Sequence, residues 1–453
     1  MRKEGLSDLI REVADMEVDR PYGRVVKSTG LVIESEGPIS RLGEICHAIV
    51  EDPPGSPSFE LEAEVVGFHG DRVILMPFKE ATGLRPGALV KGLGTEHVVG
   101  IGSGVLGRVV DGLGRPVDGR GPLSADRWIP VTSEPPDPIR RPVIHEALPL
   151  GIRAIDALLT CGRGQRIGIF AGSGVGKSTL LGMAVRGSQA DVCVVALIGE
   201  RGREVREFIE NDLGPEGLKK SVVVAVPSSD SPILRLRGAF TAITMAESFR
   251  DSGAQVLFVM DSLTRLAMAR REVGLAAGEP PTSRGYPPSV FSMLPRFLER
   301  AGTAETGSIT GIYTVLVEGD DLSEPVADTT RGLLDGHIVL SRELAALGHY
   351  PPIDVLRSVS RLMPRVTEGE HRQLATAARA VLAEYSQIED SLHLGTYQMG
   401  TDPMRDKLIS RRKGLMTFLR QGASEKSEFS GIVADLRSVL KTRPKSKREK
   451  ESK

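Results

Sequence analysis

The stretch GIFAGSGVGKSTLLGMAV, Gly168–Val185, narrows the choice of fold more than any other part of the chain. An apolar run meets a Gly-rich turn, and Lys177-Ser178 opens a helical stretch. Gly172, Gly174 and Gly176 let backbone N–H groups turn toward an anion with no Cβ in the way, and a helix N-terminus behind them favours negative charge. Ser173, Val175 and Thr179 complete the nucleotide-binding set. Lys177 is placed to reach β- and γ-phosphates, and the Ser178 hydroxyl to ligate Mg²⁺. The first motif position is Ala171 instead of Gly, one departure from the strict pattern. Such a cradle needs a strand before it and a helix after it, so it predicts an α/β core.

The surroundings agree. From about residue 143 to 363 apolar runs alternate with helical stretches. QRIGIF, DVCVVALIG, SVVVAVPS, AQVLFVMDS, SITGIYTVLVEG and GHIVLS read as buried strands of a mostly parallel sheet. EVREFIEND and GAFTAITMAESFRDSG read as helices between them. Ligands are expected at the C-terminal ends of such strands. Asp261 closes AQVLFVMD and is the second metal-ligand candidate, although a strand-ending Asp also serves as a simple cap. Glu200 follows LIG at the end of the strand after the cradle helix, where a carboxylate can orient or deprotonate water. Arg201 stands beside it as a further catalytic candidate. The alternative is that Glu200, Arg201, Arg203 and Glu204 form a solvated ion-pair cluster worth little. Arg361, in LRSVSR, is a candidate arginine finger across a subunit boundary, or else a surface arginine at a domain junction.

On either side of the core the pattern changes. Leu6, Leu9, Ile10 and Val13 make a narrow helical stripe within residues 1–20, ended by Pro21. Residues 21–99 carry short strands such as GRVVKSTGLVIE, ICHAIVE, ELEAEVVGF and DRVILMPF between Gly, Pro and Asp turns, the pattern of a small closed β-barrel. Residues 100–142 read as Gly/Pro-rich turns and an extended linker. Residues 364–440 read as helices, including HRQLATAARAVLAEYSQIED and DPMRDKLISRRKGLMTFLRQ. Residues 441–453 are charged, lack apolar side chains and read as disordered.

Composition removes several classes of function. Lys+Arg 58 against Asp+Glu 59 leaves a formal charge of −1, so the chain is not a globally basic nucleic-acid binder. Residues 23–99 contain only Phe59, Phe68 and Phe78 as aromatics, diluted by Glu60, Glu62 and Glu64, a poor platform for single strands. Cys46, Cys161 and Cys193 match neither a disulfide framework nor a zinc site. No stretch of about 18 apolar residues spans a membrane, and the N-terminus lacks a signal-peptide core.

Taken in order, the motifs resemble the catalytic subunits of the rotary ATP synthase superfamily over roughly residues 20–440. Besides the cradle these are GRVVDGLGRPVDG (Gly107–Gly119), LPLGIRAIDALLTCGRGQR (Leu148–Arg166), IGERGREV (Ile198–Val205), MDSLTR (Met260–Arg265), EGDDLSEP (Glu318–Pro325), LDGHIVLSR (Leu334–Arg342), GHYPPIDVL (Gly348–Leu356) and SVSR (Ser358–Arg361). Within that superfamily REVGLAAGEPPTSRGYPPSVFSMLPRFLERAG and LGTYQMGTDPMRDKLI are most similar to the flagellar type III protein-export ATPase family. The resemblance implies an N-terminal β-barrel, a RecA-like P-loop core and a C-terminal helical domain. It implies ATP and Mg²⁺ as ligands, Lys177 on phosphate, Ser178 and Asp261 on the metal, Glu200 on water and Arg361 reaching a neighbouring subunit. Tyr350 falls where the family packs an aromatic near adenine, and a core Tyr beside a Pro-Pro turn is the other reading. One chain carries both Glu200 and Arg361, which permits a homohexamer with equivalent sites. The resemblance further implies a stator-like regulatory dimer on residues 3–18, a coiled-coil stalk in the pore, export-gate membrane proteins, chaperone–substrate complexes and no nucleic acid. It places the protein in the cytoplasm, peripheral to the inner membrane at the export apparatus. An injectisome ATPase shares nearly every motif; a rotary synthase subunit and an RNA translocase are the more distant alternatives.

Overall fold

The computed structural model describes residues 22–50, 59–317, 321–394, 397–398 and 400–441. The expected N-terminal helix over residues 3–18 and the charged tail from 442 on lie outside them.

Six strands, Gly23–Thr29, Val32–Glu36, Glu44–Val50, Phe59–His69, Arg72–Pro77 and Leu89–Glu96, close into an antiparallel barrel. Strict alternation produces it. In EICHAIV the residues Glu44, Cys46, Ala48 and Val50 face inward and their neighbours outward. The filling is Val25, Ile33, Leu61, Ala63, Val65, Leu75 and Val90. Glu44 is buried because its carboxylate accepts the N–H groups of Gly94 (2.7 Å) and Arg41 (3.1 Å). This is the small N-terminal β-barrel that the sequence leads one to expect.

A second compact unit begins at Val98. Its sheet runs, side by side, Ile353–Ser360, Gly336–Leu340, Arg166–Ala171, Ser308–Leu316, Gln255–Asp261, Val192–Ile198, Ser221–Val226 and Val109–Val110. All these neighbours are parallel except Ile353–Ser360, which is antiparallel to Gly336–Leu340. The six apolar runs are therefore strands, buried on both faces as parallel strands must be. Two features depart from the sequence reading. The segment 100–142 is more than a linker: Val109–Val110 forms the last strand of the sheet, and Val98–Ile101 pairs with Arg127–Pro130. Asp118 fixes this segment by accepting from both Nε (2.7 Å) and Nη2 (2.9 Å) of Arg108. The stretch around LRSVS, for which no element was expected, is the antiparallel edge strand Ile353–Ser360.

Beyond the sheet, the helices Gly369–His393, Pro403–Leu419 and Phe429–Lys441 pack together. Their Ala375, Ala378, Leu415, Phe418, Leu419, Ile432 and Leu436 join one apolar cluster with Ala154 and Leu158 of the short helix Arg153–Leu158. Each Leu or Ile so buried contributes roughly 1.5–3 kcal/mol relative to exposure. His371 fixes the junction by a 2.8 Å hydrogen bond to the Ala157 carbonyl.

Candidate functional site

The strand Arg166–Ala171 ends at the cradle, and Val317 N–H donates to the Ala171 carbonyl at 3.1 Å. Gly176, with φ +96°, turns the chain into the helix Lys177–Gly187, a conformation that favours glycine. That helix is anchored by Leu180, Leu181, Met183, Ala184 and Val185 in the core, so its N-terminus is rigidly aimed. Val175 is buried, while Ser173 and Gly174 are exposed. At Gly172 an added Cβ would lie 2.3 Å from an Arg342 guanidinium nitrogen, so any side chain here would have to displace the end of that arginine. Arg342 was not singled out in the sequence. A Cβ at Gly176 would lie 3.6 Å from the Tyr350 ring, which places that half-exposed aromatic beside the loop. The Ser178 side chain is half-buried in the first turn. Burial raises the Asp212 pKa, against the pull of the Thr179 hydroxyl that hydrogen-bonds its carboxylate.

The sheet order brings the charged groups together. Leu197 is level with Asp261 in the register, and Met260 with Tyr313, so the next step brings Asp261 level with Thr314. Lys177 Nζ donates to Asp261 Oδ1 at 2.5 Å and to Glu200 Oε1 at 3.4 Å. Thr314, fully buried on the strand between the cradle strand and the Asp261 strand, donates to the same Oδ1 at 2.8 Å. Burial works against the Lys177 charge, but Asp261 and Glu200 outweigh it and its pKa is raised. Burial first, and then the negative Asp261, push the Glu200 carboxyl up to about 7 against the pull of Lys177.

The alternative reading of a solvated four-residue cluster at Glu200 holds only in part, although the Glu204 side chain does hydrogen-bond Glu200. Gly199 turns the chain with φ +74°, and Glu200 points into the site with a side chain 12% exposed. Arg201 points out, 79% exposed, and ion-pairs with Glu204 at 3.7 Å; Arg203 pairs with Glu207 at 3.5 Å. Arg201 thus reaches the Lys177 cluster of its own chain only through Glu204, which hydrogen-bonds Glu200. Arg265, which the sequence reading did not select, packs its stem over Gly199, and its charge pulls the Glu200 pKa down. Its buried Nε has no hydrogen-bond partner among the described residues.

Arg361 is exposed, and its N–H donates to the Asp335 carbonyl at 3.0 Å. The antiparallel strand before it starts opposite Leu340 and ends opposite Gly336. Arg361 is therefore carried toward the edge of the sheet opposite its own cradle, by about 13 Å at 3.3 Å per residue.

Ser178 and Asp261 offer a hydroxyl and a carboxylate, hard oxygen donors that suit Mg²⁺. Among the described residues no group of three or more His, Cys, Asp or Glu could hold a metal. Mg²⁺ commonly uses one or two carboxylates together with substrate phosphates, so this sparse set fits a metal that arrives with a nucleotide.

Three family models match the chain. Residues 25–94 match the β-barrel domain of the ATP synthase alpha/beta family, and residues 151–360 its nucleotide-binding domain. Residues 367–438 match the T3SS EscN ATPase C-terminal domain. The flagellum-specific ATP synthase of Bacillus subtilis (strain 168) is 48% identical over 97% of this chain and 99% of its own length. The chain belongs to the flagellar and type III secretion ATPases of the ATP synthase alpha/beta family. The type 3 secretion system ATPase of Xanthomonas euvesicatoria is 49% identical over 95% of this chain and 97% of its own. The assembled ATPase EscN from the enteropathogenic E. coli type III secretion system superposes with a TM-score of 0.86 at 45% identity, over 92% of this chain and 100% of that one. EscN in complex with its central stalk EscO gives 0.84. As a member of this family the chain is a nucleotide-binding ATPase. No helix among the described residues is long and apolar enough to cross a membrane.

Proposed function

We propose that the chain hydrolyses Mg·ATP as a homohexamer and serves flagellar type III export, helping to deliver and unfold substrates at a membrane gate. The observation that carries the reading is the Lys177–Asp261–Glu200 cluster at the C-terminal edge of a parallel sheet, beside a Gly-rich helix start. The cradle N–H groups and Lys177 bind the phosphates. Ser178 and Asp261 hold Mg²⁺, which when bound neutralises developing phosphate charge. Glu200 orients the attacking water and accepts its proton, Thr314 keeps Asp261 in place, and Tyr350 offers a face to the base. Arg361 serves the site of a neighbouring subunit, because its strand carries it away from its own.

The assembled state of EscN and its complex with a central stalk support a ring and a stalk for this chain. The stator-like dimer on residues 3–18, the gate and the chaperone complexes belong to the same reading, as does a cytoplasmic protein peripheral to the inner membrane. Identities of 48% and 49% to flagellar and injectisome relatives favour neither system, so the injectisome is the second reading. Complementation separates them: the chain restores motility to a strain lacking its flagellar export ATPase. Restored injectisome secretion without motility would overturn the flagellar assignment. The ring is tested by ATP turnover per chain against protein concentration, with size read by light scattering. Turnover rises as hexamers form; a flat profile from a monomer would remove the shared site.

A further inference from the structure

The six residues after the helix Pro403–Leu419 are bound to three parts of the nucleotide-binding core. Gln421 N–H donates to the Tyr350 carbonyl at 2.9 Å. Arg420 Nε donates to Nδ1 of the buried His349 at 3.3 Å. The Gln421 amide is buried and used at both ends: Oε1 accepts Arg153 N–H at 2.8 Å, and Nε2 donates to the carbonyls of Gly151 (2.7 Å) and Glu425 (2.9 Å). Arg153 returns the contact, donating to the carbonyls of Phe418 and Arg420 and pairing with Glu425. Arg186, in the last turn of the cradle helix, donates to the Ala423 carbonyl at 2.7 Å.

A buried amide with its oxygen and nitrogen both engaged fixes the backbone around it, since any shift leaves a desolvated group unpaired. The backbone so fixed is the one bonded to Tyr350, whose own ring is half exposed. The contacts therefore act on where the aromatic stands, whereas Lys177 is held separately by Asp261 and Glu200.

We propose that Gln421 and Arg420 are positioning residues for the nucleobase: they hold the 349–350 turn so that the Tyr350 ring stays beside the cradle, which makes base affinity a property set from the C-terminal helices. The inference rests on Tyr350 being the base platform. A movement of the helix Pro403–Leu419 then changes affinity for the base while leaving the affinity for bare phosphate intact.

The test compares two probes on the full chain, ADP and inorganic tripolyphosphate, by titration calorimetry. Gln421→Ala and Arg420→Met each weaken ADP by about 5- to 10-fold, the effect of losing one or two hydrogen bonds, and leave tripolyphosphate unchanged. Gln421→Ala made on top of Tyr350→Ala adds no further loss of ADP affinity. Unchanged ADP affinity in both variants, an equal loss for ADP and tripolyphosphate, or additive losses in the double variant would each overturn the inference. If Gln421→Ala does not fold, Arg420→Met alone decides between these outcomes. Should Tyr350→Ala by itself leave ADP affinity intact, the platform reading of Tyr350 fails and the inference goes with it. If Tyr350→Ala weakens ADP and the other variants do not, only the inference fails.

Discussion

Lys177 Nζ lies 2.5 Å from Asp261 Oδ1, so the lysine that meets phosphate in the proposed reaction is already paired with the carboxylate assigned to the metal. Both side chains are largely buried, at 12% and 3% exposure, and Glu200 is the second partner of the ammonium. An incoming phosphate and its metal then exchange partners with an existing ion pair and do not open an unpaired charge. Lys177→Ala leaves two buried carboxylates facing each other. Stability to urea falls by about 1–3 kcal/mol, the penalty for a buried group without its partner. Without the cation the Glu200 pKa rises further above its unfolded value. A carboxyl raised in this way loses stability as pH climbs, so the deficit widens from about pH 6 to about pH 8. A deficit that shrinks with rising pH would contradict the pairing.

Glu200 gives the reaction its own pH signature. Its carboxyl is pushed up to about 7, and a general base must be ionised to accept a proton. The sign follows directly: the base is competent above its pKa and lost below it. The profile of kcat/KM, which reports the free enzyme, falls as pH drops through about 7, well above the ordinary glutamate range. Glu200→Gln keeps ADP binding and loses turnover by at least 10²-fold, the low end of general-base contributions. Wild-type kcat/KM that is level down to about pH 5 would remove Glu200 from this role.

Thr314 is tested by a swap that keeps its shape. Thr314→Val removes the hydroxyl that donates to Asp261 at 2.8 Å and leaves a buried methyl in its place. ADP affinity in the presence of Mg²⁺ falls by about 5-fold, in line with about 1 kcal/mol for a lost hydrogen bond, while affinity in EDTA stays the same. Thr314→Ser restores the difference. An equal loss with and without Mg²⁺ would show that the hydroxyl does not act through the metal ligand.

The elements legible in the sequence were those that end an apolar run. The cradle, Asp261 and Glu200 each follow a strand whose hydrophobicity announces it, and the alternation in EICHAIV announces the barrel. Thr314 lies inside such a run, and its meaning comes from strand order: SITGIYTVL inserts between the strands that carry the cradle and Asp261. No local pattern encodes that neighbour. Arg342 and Arg265 are illegible for the same reason, since each lies against a glycine distant in sequence. Arg201, one residue after Glu200, points the other way, an orientation that a strand-to-helix turn does not announce. Val109–Val110 reads as linker in the sequence because two residues are too few to show a period.

Arg361 offers the decisive check on the ring. Its strand runs antiparallel to Gly336–Leu340 and delivers it away from the cradle edge of its own sheet. A finger of this kind is completed only between subunits and supplies about 10³-fold or more in turnover. Arg361→Ala alone is inactive, and Lys177→Ala alone is inactive, for different reasons. Mixed rings contain interfaces in which an intact cradle from the Arg361 variant faces an intact arginine from the Lys177 variant. Those interfaces turn over ATP, so activity appears on mixing and peaks near equal proportions. Crosslinking or mass photometry of differently tagged chains establishes that mixed rings have formed. Mixed rings without activity at any ratio would mean that Arg361 does not act across the boundary, and its exposed place at the end of the edge strand would then have a purely structural explanation.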